Sequence, residues 1–183
     1  YGWDVSKRHL DEGALDEVSY IIHLAGAKLN DGSPMTAARQ TIIRDSRIAA
    51  ADMLRERLIQ RGQKIKSFIS ASAIGYYGFT DRSIEIDEDG DRGIGFSADL
   101  SADWEKAADA FKEHGVAAHV AKIRVSLVLG NDGGIFPMYT KMVLDNPALA
   151  DKPNLGSYPW NHVADMAGIF AHAVTHDLDG VYN

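Results

Sequence analysis

Ser70, Ser72, Tyr76 and Tyr77 stand close together in the run Phe68-Ile69-Ser70-Ala71-Ser72-Ala73-Ile74-Gly75-Tyr76-Tyr77-Gly78. Their hydroxyls are the groups needed to polarise a carbonyl or carbinol oxygen and to exchange a proton with it. The run opens on an apolar pair, passes through small hydroxyl residues and closes on a Gly-flanked aromatic pair. That order describes a buried parallel strand whose carboxyl end becomes a loop. In an open α/β sheet the ligand sits just beyond the carboxyl ends of the strands, so these hydroxyls would face a pocket. Ser and Gly are also ordinary turn residues. Taken alone, the stretch reads equally well as a strand followed by a plain turn.

The elements that must position this run alternate between strand and helix. Tyr20 to Leu24 reads as a strand, and Ser67 to Ala71 as the next one. Between them Ser33-Pro34 predicts a helix start, with Ser capping and Pro in the first turn. Ile43, Ala50, Leu54 and Leu58 mark one helical face, and Gly62 is the expected stop. Ser97 to His114 reads as a helix with Leu100, Trp104, Ala107, Ala108 and Phe111 inward. Val116 to Leu129 reads as one extended segment, and Val163 to Val174 as a last helix. Strands separated by helices predict an α/β fold with a parallel, doubly wound sheet, in which Tyr20–Leu24 and Ser67–Ala71 are central neighbours.

Composition bounds the partners. A chain of 183 residues with 45% hydrophobic content can bury one sizeable core, so a single domain over residues 1–183 is expected. A formal charge of −7 argues against a nucleic-acid or anionic-membrane surface, which needs a basic patch. No apolar run approaches a membrane span and no signal-peptide pattern opens the chain. The absence of cysteine excludes disulfides, a thiol nucleophile and Cys-ligated zinc, and fits a cytoplasmic protein.

The run from Ser70 to Gly78 resembles the Ser-Ala-x-x-x-Tyr-Gly segment of extended short-chain dehydrogenase/reductases. Its doubled Gly-Tyr-Tyr-Gly form is similar to an atypical subgroup, the sugar-nucleotide-epimerase-like proteins of unassigned substrate. Further matches follow in order: Ile21-Ile22-His23-Leu24-Ala25-Gly26, Asp45-Ser46-Arg47, Asp103-Trp104-Glu105, Arg124 to Gly130 with Gly133-Gly134, and Tyr158 to Asp165. The resemblance implies an NAD(P)-binding Rossmann-type domain. It also implies NADP as cofactor, with NAD the other candidate, and a small-molecule substrate such as a sugar nucleotide. Nothing here matches the Gly-x-x-Gly-x-x-Gly turn that receives the pyrophosphate in such folds. Tyr1-Gly2-Trp3-Asp4 resembles the interior of the family pattern, and Gly180 to Asn183 falls where family members continue. A chain incomplete at both ends is therefore expected, with a true truncation as the alternative.

Site residues follow from the same resemblance. Leu24, Ala25 and Gly26 end a strand where small residues would let the backbone approach a ribose or adenine, and helix–sheet packing is the plainer explanation. Arg47 would lie beside the cofactor, although it stands among Arg44, Arg55, Arg57 and Arg61 and suits a solvated face. Val128 would touch the nicotinamide side through its backbone. Related reductases also carry a Tyr-x-x-x-Lys dyad, whose Lys lowers the Tyr pKa from about 10. Counting from Trp104-Glu105, the dyad should fall near Ser97 and Ser101, and neither is Tyr or Lys. Turnover would then rest on Ser72 to orient the substrate oxygen and on Tyr76 or Tyr77 as proton donor.

Two other clusters carry less. His172 and His176 have the spacing of paired helical metal ligands but no third partner, so no metal is expected. Asp87-Glu88-Asp89-Gly90-Asp91 departs from a calcium loop in its Gly position and in having Ala98 at the twelfth place; a solvated acidic loop is expected. Two functions remain open: an NADP-dependent oxidoreductase or epimerase-like enzyme, and a non-catalytic NADP-binding regulatory or scaffold protein.

Overall fold

A computed structural model describes residues 1–29, 31–78, 85–149 and 158–183. The chain opens with an antiparallel hairpin of β1 (Trp3–Asp4) and β2 (His9–Leu10). Then follow β3 (Tyr20–His23), α1 (Ala37–Gln60), β4 (Ile65–Ala73), a 3-10 turn (Ile74–Tyr77), α2 (Phe96–Glu113) and β5 (Ala117–Val125). The remainder holds β6 (Leu127–Leu129), α3 (Phe136–Asp145), a short 3-10 turn (Pro147–Leu149), β7 (Trp160–His162), α4 (Val163–Thr175) and β8 (Gly180–Tyr182).

The central sheet is parallel throughout, in the order β3-β4-β5-β8, so among the described residues β3 is an edge strand rather than the central one expected, with β4 inside. Tyr20 pairs with Ser67 and His23 with Ser70, as expected of an apolar strand pair joined by a helix. Alternation along each strand divides the core between the two faces of the sheet. Phe68 and Val120 cluster with Ala51, Leu54 and Leu58 of α1 and with Ala107, Ala108 and Phe111 of α2. Phe68 stacks on Phe111 with ring centroids 3.7 Å apart. Ile69, Ala71, Ala121 and Ile123 cluster instead with Met166, Phe170 and Ala173 of α4. Helices therefore cover both faces, and the doubly wound reading of the sequence holds. Each buried Leu, Ile or Phe contributes about 1.5–3 kcal/mol, so truncating fully buried Leu58 would cost roughly 2–5 kcal/mol.

Two boundaries differ from the sequence expectation by more than two residues. α1 begins at Ala37, capped by Thr36, whose hydroxyl accepts the Arg39 N–H at 3.2 Å. Ser33 does not cap, because its own N–H is held by Asp31 and a tight turn from Pro34 to Thr36 intervenes. The extended segment after Val116 is broken at Ser126, whose hydroxyl turns to the Asn161 side chain. Beyond it β6 leaves the central sheet and pairs in parallel with β7. Among the described residues, no helix is long and apolar enough to cross a membrane.

Candidate functional site

β4 and β5 run in register so that Ser72 pairs with Arg124. By alternation Ser72 shares the side of Phe68, the side covered by α2, and there it meets Glu105. The Ser72 hydroxyl donates to Glu105 Oε1 at 2.7 Å. Arg124 holds the same carboxylate with Nε to Oε1 at 2.8 Å and Nη2 to Oε2 at 3.0 Å. Ser72, Glu105 and Arg124 are 2%, 8% and 4% exposed, so the pair is screened from water and its hydrogen bonds are charge-assisted. Burial works to lower the Arg124 pKa, but hydrogen bonds and charge from Glu105 and Tyr77 outweigh it and raise it above the ordinary arginine value.

The aromatic pair closes the other side of Arg124. Its Nη1 donates to the Tyr77 hydroxyl at 2.7 Å and to the Glu88 carbonyl at 3.2 Å. The guanidinium carbon lies 3.6 Å from the Tyr76 ring centroid, a cation–π contact. The Tyr77 oxygen also stands 2.8 Å from the Asp87 carbonyl and 2.7 Å from Asn183 Oδ1. Asn183 reaches back through its backbone N–H to the Glu88 carboxylate at 2.8 Å and through its amide to the Ile86 carbonyl at 3.2 Å. The Asn183 N–H holds the Glu88 pKa below the usual carboxylate value. Among the described residues no hydrogen bond joins Ser72 to Tyr76; Arg124 lies between them. Ser97 and Ser101 face the turn after β4, with Ser97 packed against Gly75 and the Ser101 hydroxyl on the Ser97 carbonyl at 2.9 Å.

Glu105 and Arg124 were not singled out from the sequence. The available signal was an Arg inside the apolar run of β5 and a Glu beside Trp104 on the buried face of α2, since charges are seldom fully buried unless paired. The acidic loop is likewise more than a solvated surface: the Asp87 and Glu88 carbonyls serve the buried network.

Leu24, Ala25 and Gly26 follow the carboxyl end of β3, with Leu24 and Gly26 exposed. Arg47 is brought against them rather than left on a solvated face. Its Nη1 donates to the Ala27 carbonyl at 3.1 Å and to the Ile43 carbonyl at 2.9 Å. A Cβ on Gly26 would lie 2.7 Å from its guanidinium carbon. The guanidinium also lies 4.9 Å from the Trp104 ring, and burial lowers its pKa. His23 stands 3.0 Å from the Arg47 carbonyl, beside Phe68 and Trp104. Burial is the main influence and lowers the His23 pKa; the hydrogen bond to the Arg47 carbonyl opposes it and the charge of Arg47 adds to it. Arg47 Nε and Trp104 Nε1 are buried without a partner. Such orphan donors, beside an exposed Gly at a strand end, fit an oxygen-rich ligand such as a dinucleotide. Val128 lies in β6 of the second sheet and packs against the core cluster that includes Ile69, Trp104 and Ile123.

Two hollows lie elsewhere. One of about 460 Å³ is lined by Asn131, Phe136, Thr140 and Leu144 at α3, and one of about 630 Å³ by His9, Asp11, Arg57 and Arg61 beside the hairpin. His172 and His176 stack at 3.8 Å. Among the described residues no group of three or more His, Cys, Asp or Glu side chains could hold a metal ion.

No family model matches the chain. An epimerase family protein of Mycobacterium leprae is 33% identical over 133 residues, which are 73% of this chain and 41% of that protein. The crystal structure of a nucleoside-diphosphate sugar epimerase from Corynebacterium glutamicum matches with a TM-score of 0.78 and 27% identity, over 100% of this chain and 37% of that one. Human epimerase family protein SDR39U1, solved with NADPH, shares the fold at a TM-score of 0.73 and 24% identity, over 93% of this chain and 57% of that one. The chain spans about half the length of the relatives it matches.

Proposed function

We propose that this chain, a homologue of the epimerase family proteins of the atypical short-chain dehydrogenase/reductase type, is the NADP-binding domain, over residues 1–183, of an oxidoreductase or epimerase acting on a sugar-like or small carbonyl substrate. The observation that carries the reading is the carboxyl end of β3. There, just beyond exposed Leu24, exposed Gly26 adjoins Arg47, which lies over Trp104, and Arg47 Nε and Trp104 Nε1 are buried without an acceptor. Leu24, Ala25, Gly26 and Arg47 would hold the dinucleotide, with Val128 on the nicotinamide side. The bound cofactor supplies the hydride. The chain's own contribution would be to orient the reacting oxygen with Ser72 and to exchange its proton with Tyr76.

A ligand that binds only the folded state stabilises it by about 2.7 kcal/mol at a hundredfold excess over Kd. In a thermal-shift titration NADPH should therefore raise the melting temperature at lower concentration than NADH. Equal or absent shifts would remove the NADP assignment.

A specific observation also supports the second reading, a non-catalytic NADP-binding regulatory or scaffold protein. The Ser72 proton is directed to Glu105, and Ser97 and Ser101 stand where a Tyr/Lys dyad would act. NADPH oxidation screened over sugars, sugar nucleotides and small aldehydes separates the two. Turnover with any of them supports the enzyme, and tight NADPH binding with none supports the second reading.

A further inference from the structure

The segment from Glu85 to Gly95 lies across the carboxyl end of β4, tied there by groups that surround Arg124. The ties are the Asp87 carbonyl at the Tyr77 hydroxyl, the Glu88 carbonyl at Arg124 Nη1, and the Ile86 carbonyl and Glu88 carboxylate at Asn183. The Gly93 N–H also donates to the Tyr76 carbonyl at 3.0 Å. Gly93 approaches so closely that a Cβ there would overlap the Tyr77 carbonyl. Yet the segment brings little apolar anchorage: Ile94 is 89% exposed, and Glu85, Asp87, Asp89 and Asp91 are exposed as well. A segment held mainly by polar ties, with few buried apolar contacts, belongs to the low-stability end of a fold.

We propose that residues 85–95 form a latched strap over Tyr76 and Arg124, with Tyr77 and Arg124 as the positioning residues that hold it shut. The latch has one bolt. The Tyr77 oxygen is the only atom that meets Arg124, the strap and Asn183 at once among the described residues. Arg124 itself is fixed from behind by Glu105, so losing the Tyr77 hydroxyl loosens the strap, leaving it on the Glu88 carbonyl and Asn183 ties, without freeing the ion pair. Lifting the strap bares Arg124 Nη1 and the Tyr77 hydroxyl, two adjacent donors that now hold two successive backbone carbonyls. The group that would replace them is one with two neighbouring oxygens, a carboxylate or a vicinal diol. The inference rests on the proposed function only in placing that ligand at the carboxyl end of the sheet.

Hydrogen exchange read by mass spectrometry tests the latch. In Tyr77→Phe, exchange at the Gly90 and Gly93 amides should quicken about tenfold or more, while the amides of α1 and β4 keep their protection. Asn183→Ala removes the amide that holds the Ile86 carbonyl and meets the Tyr77 hydroxyl, leaving the backbone N–H on Glu88, and should quicken the same amides even where Tyr77→Phe does not fold. Unchanged exchange at both glycines in Asn183→Ala, or in a folded Tyr77→Phe, overturns the latch, as does a rise spread equally over α1 and β4. NADPH titration of the same proteins keeps the outcomes apart, since loss of NADPH binding by the unaltered protein refutes the cofactor reading and leaves the strap result standing.

Discussion

Glu105 and Arg124 meet side-on, both carboxylate oxygens engaged, across the contact between α2 and β5. Ser72 of β4 donates to the same carboxylate, so one buried acid joins three elements. Two ions withdrawn from water need each other, and removing one partner leaves the other uncompensated at a cost of about 3–5 kcal/mol. Glu105→Ala should therefore lower the urea midpoint by an amount worth that much. A loss under about 1 kcal/mol would mean that Arg124 finds water or a new acceptor and that the pair does not hold the elements together.

Ser72→Ala separates holding from chemistry. Loss of a hydrogen bond to a charged acceptor predicts a fall in stability of roughly 1.5–3 kcal/mol. If Ser72 also stabilises oxygen charge as hydride moves, kcat for any substrate found should fall by about 10²-fold or more, with NADPH affinity little changed. A stability loss with kcat intact would confine Ser72 to the Glu105 network.

Gly26→Ala places a methyl where the Arg47 guanidinium now sits. The guanidinium is tied to two carbonyls, so overpacking should cost roughly 1–3 kcal/mol. Weaker NADPH binding is expected beside it, read from the midpoint of the thermal-shift titration. A variant that binds NADPH as the unaltered protein does would take this strand end out of the cofactor site.

His23 gives the fold a pH dependence of definite sign. Burial lowers its pKa from 6.5 in the folded state, so below that value the unfolded chain binds the proton more readily. Its contribution to stability is thus present above about pH 6.5 and lost as pH falls through the lowered folded value. The melting temperature should drop from pH 7 to pH 5, and less steeply in His23→Gln. Equal slopes for the two proteins would show that other groups govern acid lability.

Much of the scaffold was legible because it follows local rules. The face of Ile43, Ala50, Leu54 and Leu58 and the pairing of Tyr20–His23 with Ser67–Ser70 both follow from apolar periodicity, and both appear in the structure. The cap at Thr36 was missed because Ser33-Pro34 offers the same chemistry three residues earlier, and only the turn between them decides. The network around Arg124 was illegible for another reason. Glu105, Arg124, Tyr77 and Asn183 are remote in sequence, and register and alternation alone bring them together. Ser72 shows the same limit: its place in a strand could be read, but the element that would cover its side chain could not.

The break at Ser126 has a consequence for how such a domain can vary. One length of chain serves as β5 in the central sheet and, a single residue later, as β6 beside β7. A residue added or removed at this joint would invert the inward and outward sets of Leu127–Leu129 without shifting β4 against β5. The wall carrying Val128 can therefore be recut independently of the scaffold that carries Arg124. Change at this seam leaves the ion-pair core in place.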